Sequence, residues 1–240
     1  MKIATFTLTR ERLDYTQRTF AEIKGTAGIE FDHFVLDNGS RDGTPEWLEK
    51  NKDLFKKVIL SPDNKGLWGG INIILKETNF FEGYNYVLKL DNDVEFITDC
   101  WLRRLALMSA EMGNKVVLSP YVDGLGSGLG GAPRYSHELI AGNKISYSHH
   151  VGGICLFTSQ DAYKASGYFP GCLGKAQGWD VFFCGRAKNM GYKIAYLEDV
   201  KIKHMDTTVE QEKIRPDYYN RKVLEARIPY RGNIDDYKIL

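Results

Sequence analysis

The sequence predicts an α/β fold with a mostly parallel central sheet and helices on both faces. β-branched and aromatic runs alternate with segments of helical spacing through Leu90, the rhythm of βα units. The residues able to do chemistry stand at the carboxyl ends of those runs, where open parallel sheets bind ligands. A chain of 240 residues with 43% apolar content is also long enough to bury one sizeable core.

The elements follow in order. Lys2 to Leu8 reads as a buried strand, Asp14 to Lys24 as a helix through Tyr15, Phe20 and Ile23, and Phe31 to Leu36 as a second strand. That strand ends in the turn cluster Asp37-Asn38-Gly39-Ser40-Arg41-Asp42-Gly43, after which Thr44 and Pro45 form an N-cap and first-position pair for a helix to Lys50. Val58 to Leu60 is a third strand, Gly69-Gly70 opens a helix from Ile71 to Phe80, and Tyr86 to Leu90 is the fourth. Beyond it, Thr98 or Asp99 caps a helix from Cys100 to Met112, and Val116 to Tyr121 is again a strand. Val151 to Thr158 is a strand opened by two glycines, Ser159 to Ser166 is a short helix, and a further helix runs to Asn189, with capping by Asp180 the plainer alternative to a chemical role for that residue. Lys193 to Leu197 and Val200 to Lys203 are closing strands that deliver His204.

The fourth strand ends in Asp91-Asn92-Asp93. In an extended chain residues i and i+2 project to one side, so Asp91 and Asp93 face one ligand together. With no basic partner evident, such a pair calls for a hard divalent cation; oxygen ligands select Mg²⁺, Mn²⁺ or Ca²⁺ over zinc. An exposed Asp-Asn-Asp turn is the plainer alternative.

The ordered set Thr7-Leu8-Thr9-Arg10, Asp37-Asn38-Gly39-Ser40-x-Asp42-Gly43-Thr44, Asn64-x-Gly66-x-x-Gly69-Gly70-x-Asn72 and Asp91-x-Asp93 resembles the nucleotide-binding half of the GT-A glycosyltransferases of family 2. The later run Gly152-Gly153, Gly167-Tyr168-Phe169, Trp179-Asp180, Arg186 and Gly191-Tyr192 is similar to that family's acceptor half. Many members carry Glu-Asp where this chain has Trp179-Asp180, which leaves Asp180 as the one carboxylate of the stretch. The resemblance implies a single domain over 1–204, with a nucleotide-sugar half (1–95) and an acceptor half (96–204), followed by a tail (205–240). It implies inverting, metal-dependent transfer of a sugar from a nucleotide-diphosphate donor, UDP-linked by preference, to a glycan, lipid-linked or protein hydroxyl. Thr7, Thr9, Arg10, Asn64 and Gly66 would hold the donor, and Asp37 would accept from a ring N–H of its base. Asp93 would bind Mn²⁺ or Mg²⁺, with Asp91 on the ribose or the metal. His204 would complete the metal site or meet the diphosphate. Asp180 would be the catalytic base, and Gly152, Gly153 and Trp179 would face the acceptor or sugar.

Other classes fit less well. A nicotinamide enzyme needs G-x-G-x-x-G after strand one, where this chain reads Leu8-Thr9-Arg10-Glu11-Arg12. Asn38 to Glu49 matches part of a calcium loop, but a strand-like run precedes it and Pro45 interrupts it. A non-catalytic nucleotide-sugar binding protein stays open, because binding motifs survive without a base. A net charge of +1 gives no field for nucleic acid. Cys100, Cys155, Cys172 and Cys184 form no C-x-x-C pair, no apolar run is long enough to span a membrane, and the expected location is cytoplasmic. The glycine-rich stretch 123–131 is expected to act as a lid beside the acceptor. The charged tail is expected to pack over the domain or against a second subunit as a homodimer.

Overall fold

A computed structural model describes residues 1–125, 131–169, 178–206, 212–226 and 232–240. The core of the expected lid, 126–130, and Cys172 lie outside the described residues.

The first half follows the predicted alternation. β1 (Ile3–Thr9), α1 (Leu13–Ala27), β2 (Asp32–Asn38), α2 (Thr44–Lys50), β3 (Lys57–Ser61), α3 (Gly66–Glu77) and β4 (Tyr86–Leu90) occur in that order. The strands lie parallel as β3-β2-β1-β4, so all four carboxyl ends meet on one edge. α3 starts a turn earlier than expected and packs tightly on β1: a Cβ at Gly70 would come within 2.4 Å of Leu8 Cδ2. Glycine is what permits that approach.

The second half is less regular. β5 (Val94–Phe96), α4 (Trp101–Glu111) and β6 (Val116–Asp123) lead to a hairpin of β7 (Arg134–Ile140) and β8 (Asn143–Ser148), then β9 (Cys155–Ser159), α5 (Gln160–Ser166), α6 (Trp179–Asn189) and β10 (Lys193–His204). β9 runs antiparallel between β4 and β6, whereas β6 and β10 are parallel to each other. The sheet is thus parallel through its nucleotide half and mixed beyond. The two expected closing strands are one, β10, with a register shift between Leu197 and Lys201.

Strand parity divides the interior into two layers. Ala4, Phe6 and Leu8 of β1 pack with Trp68, Ile71 and Ile74 of α3 and with Phe183 and Ala187 of α6 on one face. On the other, Ile3, Leu88 and Leu90 pack with Ile23 of α1 and Trp101, Leu102 and Leu105 of α4. Burial of one such side chain contributes about 1.5–3 kcal/mol.

Helix starts depart from the sequence reading. The residues before α2, α4 and α6 are Gly43, Cys100 and Gly178, all left-handed and without a side-chain cap. Asp42 instead receives Leu13 N–H at 2.9 Å, so the turn after β2 holds the start of α1. Thr44, expected as a cap, is instead the first residue of α2, neither Thr98 nor Asp99 caps α4, and the alternative of Asp180 as the cap of α6 does not hold.

The tail folds back on its own chain. It forms α7 (Pro216–Ala226) and an edge strand, β11 (Lys238–Ile239), antiparallel to β3. Lys65 Nζ reaches Asn233 O at 2.7 Å, and Tyr237 donates to Glu77 at 2.6 Å.

Candidate active site

The carboxyl ends of the parallel strands open into a crevice of about 300 Å³. Thr9, Arg10, Asn64, Asp91, Gly153, Trp179 and Asp180 line it, seven residues singled out from the sequence.

Asp93 is the most constrained of the predicted metal-binding residues and is not itself among the lining residues. It lies just beyond β4 and is 1% exposed, as is Asn92, so the segment is no surface turn. Thr19 Oγ1 donates to Asn92 O or Val94 O and receives Val94 N–H, and Asn92 Nδ2 donates to Thr16 Oγ1 at 2.8 Å. Two threonines one helical turn apart thereby clamp the loop. β5 then pairs with β10 in the register His204 to Val94, which brings the imidazole beside the carboxylate. His204 Nε2 and Asp93 Oδ2 are 3.1 Å apart.

Oxygen or nitrogen atoms of Asp91, Asp93 and His204 all lie within 4.8 Å of one another. Asp93 Oδ1 is buried with no hydrogen-bond donor among the described residues. A buried carboxylate oxygen without a donor is costly unless something positive meets it. Two carboxylates, an imidazole and that unmet oxygen suit a hard or borderline divalent ion such as Mn²⁺.

The premise that these carboxylates lack cations is corrected. Arg12 Nη1 lies 2.5 Å from Asp93 Oδ2 and 2.8 Å from Asp206 Oδ2, and Arg12 Nη2 donates to Asn92 Oδ1 at 2.9 Å. Lys89, 1% exposed, bonds Asp91 and also reaches Gly153 O at 2.5 Å. Burial alone would raise the Asp93 pKa, but the charge of Arg12 and the His204 contact outweigh it and hold the group ionised. Burial would likewise lower His204, and Asp93 overrides it in the raising direction. Arg12 is aimed by backbone geometry: Glu11 and Arg12 are both left-handed, at φ 56° and 63°. Such non-glycine residues persist only where their surroundings hold them.

Three predicted donor residues sit differently from expectation. Thr7 points to the α1 face by strand parity and bonds the His33 ring at 3.1 Å, away from the crevice. Asp37 is fully buried beneath it, accepting from Thr9 at 3.0 Å and from Ser40 through both hydroxyl and N–H. Burial raises its pKa against those bonds. Gly66 opens α3, its N–H bonding Asn64 Oδ1 at 2.9 Å, and therefore acts through Asn64.

Asp180 stands in the first turn of α6 and lines the crevice. Oδ2 accepts from Gly153 N–H at 3.0 Å and Oδ1 from Val181 N–H at 2.9 Å. Trp179 is 3% exposed and packs beside Phe183, and a Cβ on Gly153 would come within 2.7 Å of its ring nitrogen. Trp179 is thus mainly a core residue that forms the floor here, and Gly153 lets it approach. Gly152 has open space where a side chain would be.

Gly39 is a test of the turn after β2. It has φ +77°, and a Cβ there would come within 2.4 Å of the Asp63 carbonyl carbon. Gly39→Ala is expected to destabilise the fold by about 1–3 kcal/mol in urea unfolding. Gly113→Ala, at φ +68° but in open space, should lose only about 1–2 kcal/mol of conformational preference and is the control. Equal losses would remove the role of the Asp63 contact.

Comparisons with known proteins agree with this fold. The family described as glycosyl transferase family 2 matches residues 6–165. No curated protein matches the sequence. A mannosyltransferase of Pyrobaculum calidifontis, solved with GDP-Man and Mn²⁺, superposes with a TM-score of 0.65 at 14% identity over 95% of this chain and 65% of its own. GalNAc-T7, solved with UDP, GalNAc and Mn²⁺, gives 0.62 at 13% identity over 85% and 43%. S. aureus TarS gives 0.62 at 19% over 95% and 40%, and its fragment 1–349 is solved with UDP-GlcNAc. The chain therefore spans less than two thirds of the length of each of these three proteins.

Proposed function

The chain belongs to glycosyl transferase family 2, and from that premise we propose that it moves a sugar from a nucleotide-diphosphate donor to an acceptor hydroxyl with inversion. The observation that carries this is the meeting of Asp93 and His204 with Asp91, which lines the crevice that Asp180 also borders. A bound Mn²⁺ or Mg²⁺ supplies positive charge for the departing diphosphate.

The chain's own residues do the rest. Arg12 keeps Asp93 ionised, and Lys89 holds Asp91 in place. Thr9, Arg10 and Asn64 bind the nucleotide from the strand ends. Asp37 acts beneath them by fixing Thr9 and Ser40, a change from a direct base contact. Asp180, its carboxylate oriented by Gly153 and Val181 N–H groups, takes the acceptor proton as the hydroxyl attacks the face opposite the leaving group. Uridine remains the preferred base, since GalNAc-T7 and TarS are recorded with UDP or a UDP-sugar. Among the described residues Cys100, Cys155 and Cys184 form no disulfide. Among the described residues no helix is long and apolar enough to cross a membrane.

The test is a thermal-shift screen of UDP- and GDP-sugars with Mn²⁺, repeated with a chelator. A donor at 100 times its Kd should add about 2.7 kcal/mol, and the chelator should remove most of it. A screen in which no nucleotide sugar stabilises the protein rejects the proposal.

A further inference from the structure

A buried lysine two residues before Asp91 ties the two halves of the crevice together. Val87 packs in the layer of α3 and α6, while Leu88 and Leu90 pack in the opposite one. Alternation along β4 therefore turns Lys89 and Asp91 toward α6 with Val87. Lys89 sits on a strand flanked by β1 and β9 and is 1% exposed. An ammonium at that depth is costly unless its protons are met. Nζ donates to Asp91 Oδ1 and, at 2.5 Å, to Gly153 O, and it lies 5.6 Å from the centre of the Trp179 ring.

Gly153, just before β9, is held through both of its backbone groups. Its carbonyl accepts from Lys89, and its N–H donates to Asp180 Oδ2 at 3.0 Å. One run of hydrogen bonds thus leads from Asp91 through Lys89 and Gly153 to Asp180, across three separate elements. We infer that Lys89 is a positioning residue that fixes the Gly153 turn, and through it the Asp180 carboxylate, relative to Asp91 on the donor side. The inference rests on the reading of Asp180 as the base. An acceptor oxygen must reach the sugar carbon while its proton reaches Asp180, and a misplacement of about 1 Å costs about 100-fold in such an arrangement.

The experiment uses the full chain as wild type, Lys89→Met, Asp180→Asn and the double variant. Methionine keeps an unbranched buried side chain and removes the charge and its donors. Amide exchange at Gly153, read by NMR, should quicken by about tenfold or more in Lys89→Met, with amides of β1 and α3 unchanged. Release of nucleoside diphosphate from UDP-GlcNAc and GDP-mannose in Mn²⁺, with water as acceptor, should slow by about 10- to 100-fold. In the Asp180→Asn background the same change should cost less than about threefold, because the group it positions has already gone. Lys89→Gln, shorter but still a donor, takes the same place in the cycle if Lys89→Met does not fold. An unmoved Gly153 amide overturns the inference and leaves the functional reading standing. Equal slowing in both backgrounds shows a role through Asp91 or the fold alone and also overturns it. Asp180→Asn that releases diphosphate at the wild-type rate, or wild type that neither binds nor cleaves any nucleotide sugar, overturns the reading of the site and the inference together.

Discussion

Replacing Asp93 with alanine is expected to abolish sugar transfer and to leave nucleotide-diphosphate binding indifferent to Mn²⁺. The two oxygens of Asp93 have different duties. Oδ2 is taken by Arg12 and lies beside His204, while Oδ1 is buried and meets no donor among the described residues. Removing the carboxylate takes away the most buried oxygen ligand, and the several kcal/mol of charge stabilisation that a bound cation supplies correspond to at least about a thousandfold in rate. Stability should fall by less than the ~3–5 kcal/mol typical of a broken buried pair, because Arg12 keeps Asp206 at 2.8 Å and Asn92 at 2.9 Å. Urea unfolding measures that loss separately from activity. A variant whose nucleotide binding still strengthens with Mn²⁺ as wild type does would show that the cation sits elsewhere.

How much of this was legible in the sequence depends on whether a residue's position follows from period or from packing. The strands of the first half were readable because both faces of that sheet are covered, which makes their apolar runs nearly continuous. The β7–β8 hairpin was not, since Ser136, His137, Glu138 and Leu139 are exposed and leave no alternation to detect. Lys89 could have been found: the same i, i+2 rule that joins Asp91 to Asp93 joins Lys89 to Asp91. Arg12 could not, because its aim depends on two consecutive left-handed residues that nothing in Glu11-Arg12 announces. Asp206, buried just beyond the end of β10, stands in a polar stretch where no hydrophobic period marks it. Asp180 was singled out as a site residue, but its helix begins at Trp179 behind the left-handed Gly178, and the carboxylate meets Gly153 instead of serving as the cap.

That last difference sharpens the second large effect, the loss of turnover in Asp180→Asn. With Gly178 as the cap, the helix start leans on this side chain only through the Val181 N–H that Oδ1 accepts, so a small loss of stability and not a folding defect is the expected result. Asparagine keeps the shape and one carbonyl oxygen to receive Gly153 N–H, but it cannot take a proton from an acceptor hydroxyl. Turnover should fall by about 10²- to 10⁴-fold, the usual worth of a general base. Donor affinity and the Mn²⁺ response should stay at wild-type values, because Asp91, Asp93 and His204 come from other elements. Asp180→Ala removes the Gly153 bond as well, and its additional cost of about 0.5–1.5 kcal/mol in unfolding separates orientation from proton transfer. A chain that only binds nucleotide sugars would show no turnover to lose. An Asp180→Asn enzyme that transfers sugar at close to the wild-type rate would move the base to another residue and take away the main support for inversion.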